Sequence, residues 1–218
     1  MEIKAILKQP YTEQEKINFI VEQNHKLGYI IEEQETKLVA LGYTEQEKQE
    51  QEQERIALLN MTGADVERAI YKVKGIDFDD ILAMVKDNPT IDEKALKIEF
   101  KANNFFRGNP YIEQVGSLLG FTSEMLDKFF DTKDYQYLTT CTLTINTIPE
   151  NAIVTINGVE TTKVEVPYNT DVEYSVELEG YTSYYGSINL IEDKVIDVEL
   201  KEVKNEETNT TIDDSANE

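Results

Sequence analysis

Two hydrophobic patterns divide the chain. Between about Leu143 and Leu200 apolar and polar residues alternate, whereas apolar residues in most of the preceding chain recur every three or four positions. Val172, Tyr174 and Val176 fall on one face of such an alternating segment. Alternation is typical of strands with one buried face, and the longer spacing is typical of amphipathic helices. We therefore predict a multidomain α+β protein, in which a mostly helical N-terminal part with a small β-hairpin precedes an all-β sandwich.

The first segment, residues 1–43, is predicted to hold one helix and a hairpin. Thr12 and Glu15 have the spacing of a capping box, which marks the start of a helix, and Gly28 marks its end. Tyr29–Glu33 and Thr36–Ala40 are short runs rich in strand-forming residues. We interpret them as a hairpin, with a second helix as the alternative.

The second segment, residues 44–60, is predicted to be an acidic helix exposed to solvent. Thr44 and Glu47 repeat the capping-box spacing, and no apolar residue occurs between Glu45 and Arg55. A helix without an apolar stripe has nothing to bury against a core. We therefore expect a spacer or an outer part of the helical body.

The third segment, residues 61–138, is predicted to be a compact domain of five short helices around one core. Apolar stripes recur between turn signals, and each stripe needs a partner. Thr90 to Glu93 suggests a third capping box, which would begin a helix that runs to about Asn103. Asn109–Pro110 should open the next helix, and Thr122 or Ser123 should cap the last one.

The last two segments are the predicted sandwich, residues 139–202, and a tail, residues 203–218. The tail is rich in acidic, Asn and Thr residues and too polar to bury a core, so we expect it to be disordered.

Charge excludes two classes of partner. The chain carries 43 acidic and 21 basic residues, a net charge of −22. Binding to nucleic acid or to an anionic membrane depends largely on Lys and Arg, so we expect neither partner. A helix-turn-helix rhythm between Val115 and Glu124 does not alter this, because Glu124 and Asp127 would repel phosphates.

Candidate chemistry is sparse. His25 and Cys141 are the single residues of their types, which leaves a zinc site without ligands and Cys141 without an intramolecular disulfide partner. The acids of Asp77–Asp80 suit a helix N-terminus better than a calcium loop. No nucleophile elbow or phosphate loop is readable. We expect no enzyme, no catalytic or metal-binding residue and no cofactor.

Two aromatic clusters are the candidate partner-binding sites. Phe106 and Arg107 lie in a short segment between two helices, which is either a docking loop or a tight turn whose Phe side chains enter the core. Tyr184 and Tyr185 are adjacent, so at least one must face outward if they form part of a strand. Exposed Tyr and Arg side chains are frequent anchors of interfaces, and edge packing is the alternative for the Tyr pair.

The alternating block resembles PEGA-type domains, which are small immunoglobulin-like sandwiches. The resemblance covers about 60 residues and is carried by Ile148–Pro149, the Asn157–Gly158 hairpin and Gly180–Tyr181, although Pro149-Glu-Asn-Ala152 departs from the usual Pro-x-Gly-Ala. Such domains are taken as binding or surface modules without catalysis. The resemblance implies the same role for this sandwich.

Residues 1–138 resemble uncharacterised proteins of tailed phages and prophages that are linked to structural or tail modules. The residues that carry the resemblance are Gln9–Tyr11, Gly28–Leu41, Leu41–Glu45, Gln53–Ile56, Asn109–Pro110, Gly116, Gly120 and Leu126–Asp127. It implies a virion structural or accessory protein, made in the host cytoplasm, whose partners are other phage structural proteins. The displayed sandwich would adhere to a host surface or glycan. Whether the protein forms a homo-oligomer in the particle is left open.

The sequence leaves two other functions open. The first is an assembly chaperone or adaptor that the virion does not retain, whose acidic surface holds a basic partner. The second is a bacterial adhesin, which the missing secretion pattern in the first eight residues disfavours.

Overall fold

A computed structural model describes residues 1–203 and confirms the predicted fold class. Seven α-helices lie in the N-terminal two thirds of the described chain, and most strands follow them. The N-terminal and helical parts comprise β1 Glu2–Lys8, α1 Glu13–Ile20, β2 Ile30–Gln34, β3 Lys37–Gly42, α2 Glu45–Leu58, β4 Asn60–Thr62, α3 Gly63–Lys74, α4 Phe78–Val85, α5 Glu93–Glu99, β5 Asn104–Phe106, α6 Pro110–Leu118 and α7 Ser123–Thr132. After a 3₁₀ turn come β6 Thr140–Ile148, β7 Ile153–Ile156, β8 Val159–Glu160, β9 Lys163–Pro167, β10 Thr170–Glu177, β11 Tyr184–Leu190 and β12 Lys194–Glu199.

The N-terminal unit is a three-stranded antiparallel sheet with one helix. The predicted hairpin is confirmed as β2 and β3. The chain start, for which the sequence predicts no element, forms β1 on the other side of β3. Helix α1 begins at the predicted capping box and continues as a π-helical segment, Val21–Lys26. The ion pair between Lys16 of α1 and Glu33 of β2, at 2.8 Å, ties the helix to the sheet.

Helix α2 is exposed along its whole length, as its sequence predicts. It begins at the capping box of Thr44 and Glu47 and contains no buried residue. Its 14 residues span about 21 Å at the usual rise per residue. Near its end, Arg55 forms ion pairs with Glu52 and with Asp131 of α7, at 2.8 and 2.9 Å. Helix α2 is therefore held to the helical domain at its C-terminal end.

Helices α3 to α7 pack around one apolar core, as the stripes predict. Phe129, Phe130, Ile81 and Leu96 are nearly or completely buried in it. The expectation for the middle helix was wrong in two details. Asp92 rather than Thr90 caps α5, and α5 ends at Glu99. The chain leaves the helix early because Asn104–Phe106 form a strand that pairs with β4.

The β-domain, residues 139–203, is a sandwich of two sheets. One sheet has the order β11-β10-β7-β8, and the other has the order β12-β6-β9 with β12 parallel to β6. The alternating residues behave as predicted: Val172, Tyr174 and Val176 are buried between the sheets. Asn157 and Gly158 both have positive φ, which is the geometry of a type I′ turn in the hairpin that the sequence indicates. Beyond Val203, the predicted disordered tail lies outside the described residues.

The helical domain and the β-domain meet at an aromatic contact. Tyr137, in the 3₁₀ turn after α7, packs edge-on against Tyr168 with ring centroids 5.3 Å apart. The hydroxyl of Tyr137 also accepts a hydrogen bond from Nδ2 of Asn169 at 3.0 Å, and the amide of Tyr168 donates to the carbonyl of Thr139. These contacts bring the turn between β9 and β10 against the end of the helical domain.

Candidate interaction surfaces

The segment with Phe105, Phe106 and Arg107 has features of both structures that its sequence allows, a docking loop and a tight turn with Phe side chains in the core. Because it forms β5, its successive side chains alternate between core and solvent. Phe105 is buried, with its ring 5.6 Å from that of Phe78. Phe106 is 48% exposed, so it stays a candidate contact residue.

Arg107 does not have the exposure that a docking anchor needs. Its Nε donates to Asp127 at 2.7 Å, and its Nη2 donates to Glu113 at 2.9 Å and to the carbonyl of Ser123 at 3.3 Å. The side chain is only 10% exposed. These bonds join α6 to α7, so Arg107 stabilises the helical domain. The prediction of Arg107 as a partner-binding residue is therefore wrong, because its guanidinium is enclosed by these carboxylates.

Tyr184 and Tyr185 lie on opposite sides of strand β11. Tyr184 stacks on the edge of the core, with its ring centroid 6.0 Å from that of buried Tyr174. Tyr185 points to the outer face and is 70% exposed. Its hydroxyl donates to Glu177 at 2.9 Å, and this hydrogen bond raises the pKa of Tyr185. Tyr184 therefore contributes to edge packing, and Tyr185 offers the larger contact surface.

The outer face of the four-stranded sheet carries an open groove of about 480 Å³ beside Tyr185. Neighbouring strands place Ser187 beside Glu173, and Tyr185 beside Ser175. Small side chains thus form the floor, while Tyr185 and Glu173 rise from it. The groove is lined by Thr155, Gly158, Glu173, Tyr174, Ser175, Tyr185, Gly186 and Ser187.

Sequence reasoning missed the polar part of this groove. The alternation around Val172, Tyr174 and Val176 assigns Glu173 and Ser175 only to the solvated face of a strand. Their proximity to Ser187 and Tyr185 depends on the register between β10 and β11. A pattern of alternation gives the face of each residue but leaves the cross-strand neighbour undetermined.

A second surface, which the sequence analysis also missed, is an apolar face of the N-terminal sheet. Strand pairing places Ile3, Leu41 and Ile30 in one row, and Ile6, Val39 and Glu32 in the next row on the same face. Val39 is buried, but Ile3, Ile6 and Ile30 are 56%, 42% and 44% exposed. The sequence does not predict this face because it shows no clear strand at the chain start, where the two exposed Ile residues lie on either side of Lys4 and Ala5.

The interior void of the helical domain, the described acidic residues and Cys141 offer no site. An apolar void of about 40 Å³ lies among α3 to α7, which is space for one or two water molecules rather than for a ligand. Among residues 1–203, no group of three His, Cys, Asp or Glu residues is placed to hold a metal ion. No helix in this range is long and apolar enough to cross a membrane. Burial raises the pKa of the Cys141 thiol, which keeps it protonated and unreactive.

The sequence of the β-domain matches the model of a known family. Its family model, the PEGA domain, matches residues 140–205. The β-domain is a PEGA-type domain. Asn157–Gly158 forms its first hairpin and Gly180, with positive φ, precedes Tyr181, so the sequence resemblance to this family is confirmed for the C-terminal part. Tyr185 and the groove therefore belong to the PEGA-type domain.

Searches with the whole chain gave no further relative. No curated protein and no solved structure matches it.

Proposed function

We propose that the protein is a non-enzymatic structural or accessory component of a bacteriophage virion. The N-terminal part docks on the particle, and the PEGA-type domain is displayed for adhesion to a surface or glycan. The phage context rests on the sequence resemblance of residues 1–138. The observation that carries the docking step is the apolar sheet face with Ile3, Ile6 and Ile30, which are 42–56% exposed.

Size and charge support docking through this sheet. In residues 1–43 the buried apolar side chains are Leu38, Val39 and Ala40, which is a small core for a unit of this length. A partner that covers Ile3 and Ile6 would supply the missing burial, since each fully buried side chain of this kind is worth about 1.5–3 kcal/mol. This unit carries seven acidic and five basic residues, so it approaches a partner with little repulsion.

The other end of the described chain has a different surface. Residues 139–203 carry twelve acidic and three basic residues. Such a charge keeps copies of the domain apart and in solvent, as display requires. The Tyr137–Tyr168 contact holds the PEGA-type domain against the helical domain, so the display would be firm rather than loosely tethered.

The first experiment is proteomics of gradient-purified particles of the phage that encodes the chain. We expect the protein to be retained in mature particles. An Ile3→Lys/Ile6→Lys double variant should no longer be incorporated, whereas Ile153→Lys, at an exposed position of the PEGA-type domain, should be incorporated normally. Particles that contain no copy of the protein would overturn the proposal.

The alternative is an assembly chaperone or adaptor that mature particles do not retain. The acidic surface of the PEGA-type domain favours it, because such a surface suits a basic assembly partner. This function predicts that the protein co-sediments with assembly intermediates and is lost on maturation. The same gradients therefore separate the two functions.

A further inference from the structure

Strand β11 is an edge strand without the usual protection. It lies at one end of the sheet order β11-β10-β7-β8 and runs for seven residues. The seven residues include no charged residue and no proline. Exposed edges of this kind offer unpaired N–H and C=O groups to another strand, and charges or prolines normally prevent such pairing.

The other edges of the domain carry the protection that β11 lacks. Strand β8 has only two residues. Strand β9 contains Lys163 and ends in Pro167, and β12 contains Lys194, Asp197 and Glu199. The contrast marks β11 as the edge that remains open to a partner.

The backbone of β11 is free on its outer side within residues 1–203. All seven of its residues are in register with β10, and its backbone forms no hydrogen bond to another described strand. In an antiparallel ladder about half of the N–H and C=O groups then point away from the sheet. A fifth strand could pair with them.

The charge around this edge identifies the kind of strand. The outer face of β10 carries Asp171, Glu173 and Glu177. Ser187 separates Glu173 from the edge, and its small side chain leaves the groove open above it. A Lys or Arg side chain from an added strand could cross this gap, with its stem against the ring of Tyr185 and its charge at Glu173. A second copy of this acidic domain would bring carboxylates together.

We infer that β11 binds an extended, basic segment of a partner protein, which adds to the sheet as a fifth strand and places its Lys or Arg side chains over Ser187 toward Glu173. Backbone hydrogen bonds supply the affinity and the carboxylates select a basic sequence. This inference goes beyond the proposed function and holds whether or not the chain is a virion component.

The test uses the full chain and a fluorescent nine-residue peptide in which lysine and threonine alternate. Two peptide controls replace lysine with glutamate, or methylate every second backbone nitrogen and keep the lysines. We expect anisotropy to show binding of the lysine peptide, no binding of the glutamate peptide, and at least tenfold weaker binding of the N-methylated peptide.

Three variants locate the site. Ser187→Lys puts a cation in the gap and should weaken binding at least tenfold, and Glu173→Gln should weaken it several-fold. Val195→Lys, which adds the same charge to the exposed position of edge strand β12, should stay within twofold of the unchanged chain. Circular dichroism checks that each variant folds.

Three results would overturn the inference. The first is no binding of the lysine peptide. The second is equal binding of the N-methylated peptide or equal weakening by Val195→Lys, since charge alone would then explain the affinity. The third is self-association of the full chain in sedimentation that Ser187→Lys abolishes, which would make a second copy the occupant of β11.

Discussion

The side-chain amide of Asn169 donates a 3.0 Å hydrogen bond to the hydroxyl of Tyr137 and so links the PEGA-type domain to the helical domain. Asn169 is one of the few non-glycine residues with positive φ, at 63°, and its backbone N–H donates to the carbonyl of Leu190. The turn that carries Asn169 is therefore fixed from both sides. The junction depends on a residue whose backbone conformation suits Asn or Gly best.

This link should couple the unfolding of the two domains. Asn169→Gly keeps the left-handed backbone accessible and removes only the amide, while Tyr137→Phe removes only the hydroxyl. Each should cost about 0.5–1.5 kcal/mol, the usual worth of one hydrogen bond. Calorimetry should show one transition for the unchanged chain and a broader or split transition for each variant. Identical traces would show that the bond does not couple the domains.

The ion pairs of Arg107 should matter more for stability than those of Arg55. Arg107 is 10% exposed and holds Glu113 and Asp127, so Arg107→Ala should lower the free energy of unfolding by about 2–3 kcal/mol. Arg55 is 47% exposed, and exposed pairs contribute little, so Arg55→Ala should change stability much less. Urea titration measures both variants, and an equal loss would contradict this ranking.

Acid should weaken the attachment of the chain start to α2. The N-terminal amine and the backbone amide of Thr44 both bond Glu47 and lower its pKa to about 2. A carboxyl group whose pKa is lower in the folded state stabilises above its unfolded pKa, near 4.5, and loses this effect as pH falls toward 2. The contribution of Glu47 to stability should therefore be complete above about pH 4.5 and be lost as the pH falls toward 2.

The Glu47→Gln variant isolates this contribution. Glu47→Gln should be less stable than the unchanged chain at pH 7. The difference in stability between the two should be smaller at pH 2. Glu54→Gln changes the same charge on the exposed face of the same helix and serves as the control. If the two variants have the same pH profile, net charge rather than the Glu47 contacts explains the dependence.

Gly186 should be intolerant of a side chain. A Cβ built on Gly186 would overlap the ring of Tyr174, which is buried between the sheets. We expect Gly186→Ala to cost about 1–3 kcal/mol, as overpacking of a core commonly does. Ser187→Ala, at the next position on the outer face, should be nearly neutral. Thermal unfolding of both variants tests the difference.

Much of the fold could be predicted because local signals and packing agree. Nearby residues determine several features of the fold. These are the apolar stripes of α3, α4 and α7, the capping boxes at Thr12 and Thr44, and the Asn157–Gly158 turn. Strand β1 was missed because its exposed side chains show no clean alternation, and it becomes a strand only by pairing with β3, some thirty residues later. Such pairing leaves no local signal in the sequence.

The interaction surfaces were harder to predict than the fold. In the sequence, Arg107 and Tyr185 each lie in an aromatic cluster. In the structure, carboxylates of α6 and α7 enclose Arg107, whereas Tyr185 faces solvent. The difference arises from which helices and strands become neighbours. The groove beside Tyr185 likewise exists only because the register of β10 and β11 sets small residues next to Glu173.

The parallel pairing of β6 with β12 also has a mechanical consequence. Strand β6 leaves the helical domain at Thr140, and β12 ends at Glu199, at the opposite end of the six paired residues. A pull between the helical domain and the C-terminal end of the PEGA-type domain would therefore act along both strands and strain all the ladder bonds at once. Bonds loaded together in shear resist far more force than bonds that open one after another. We therefore expect the domain to stay folded under tension along its length.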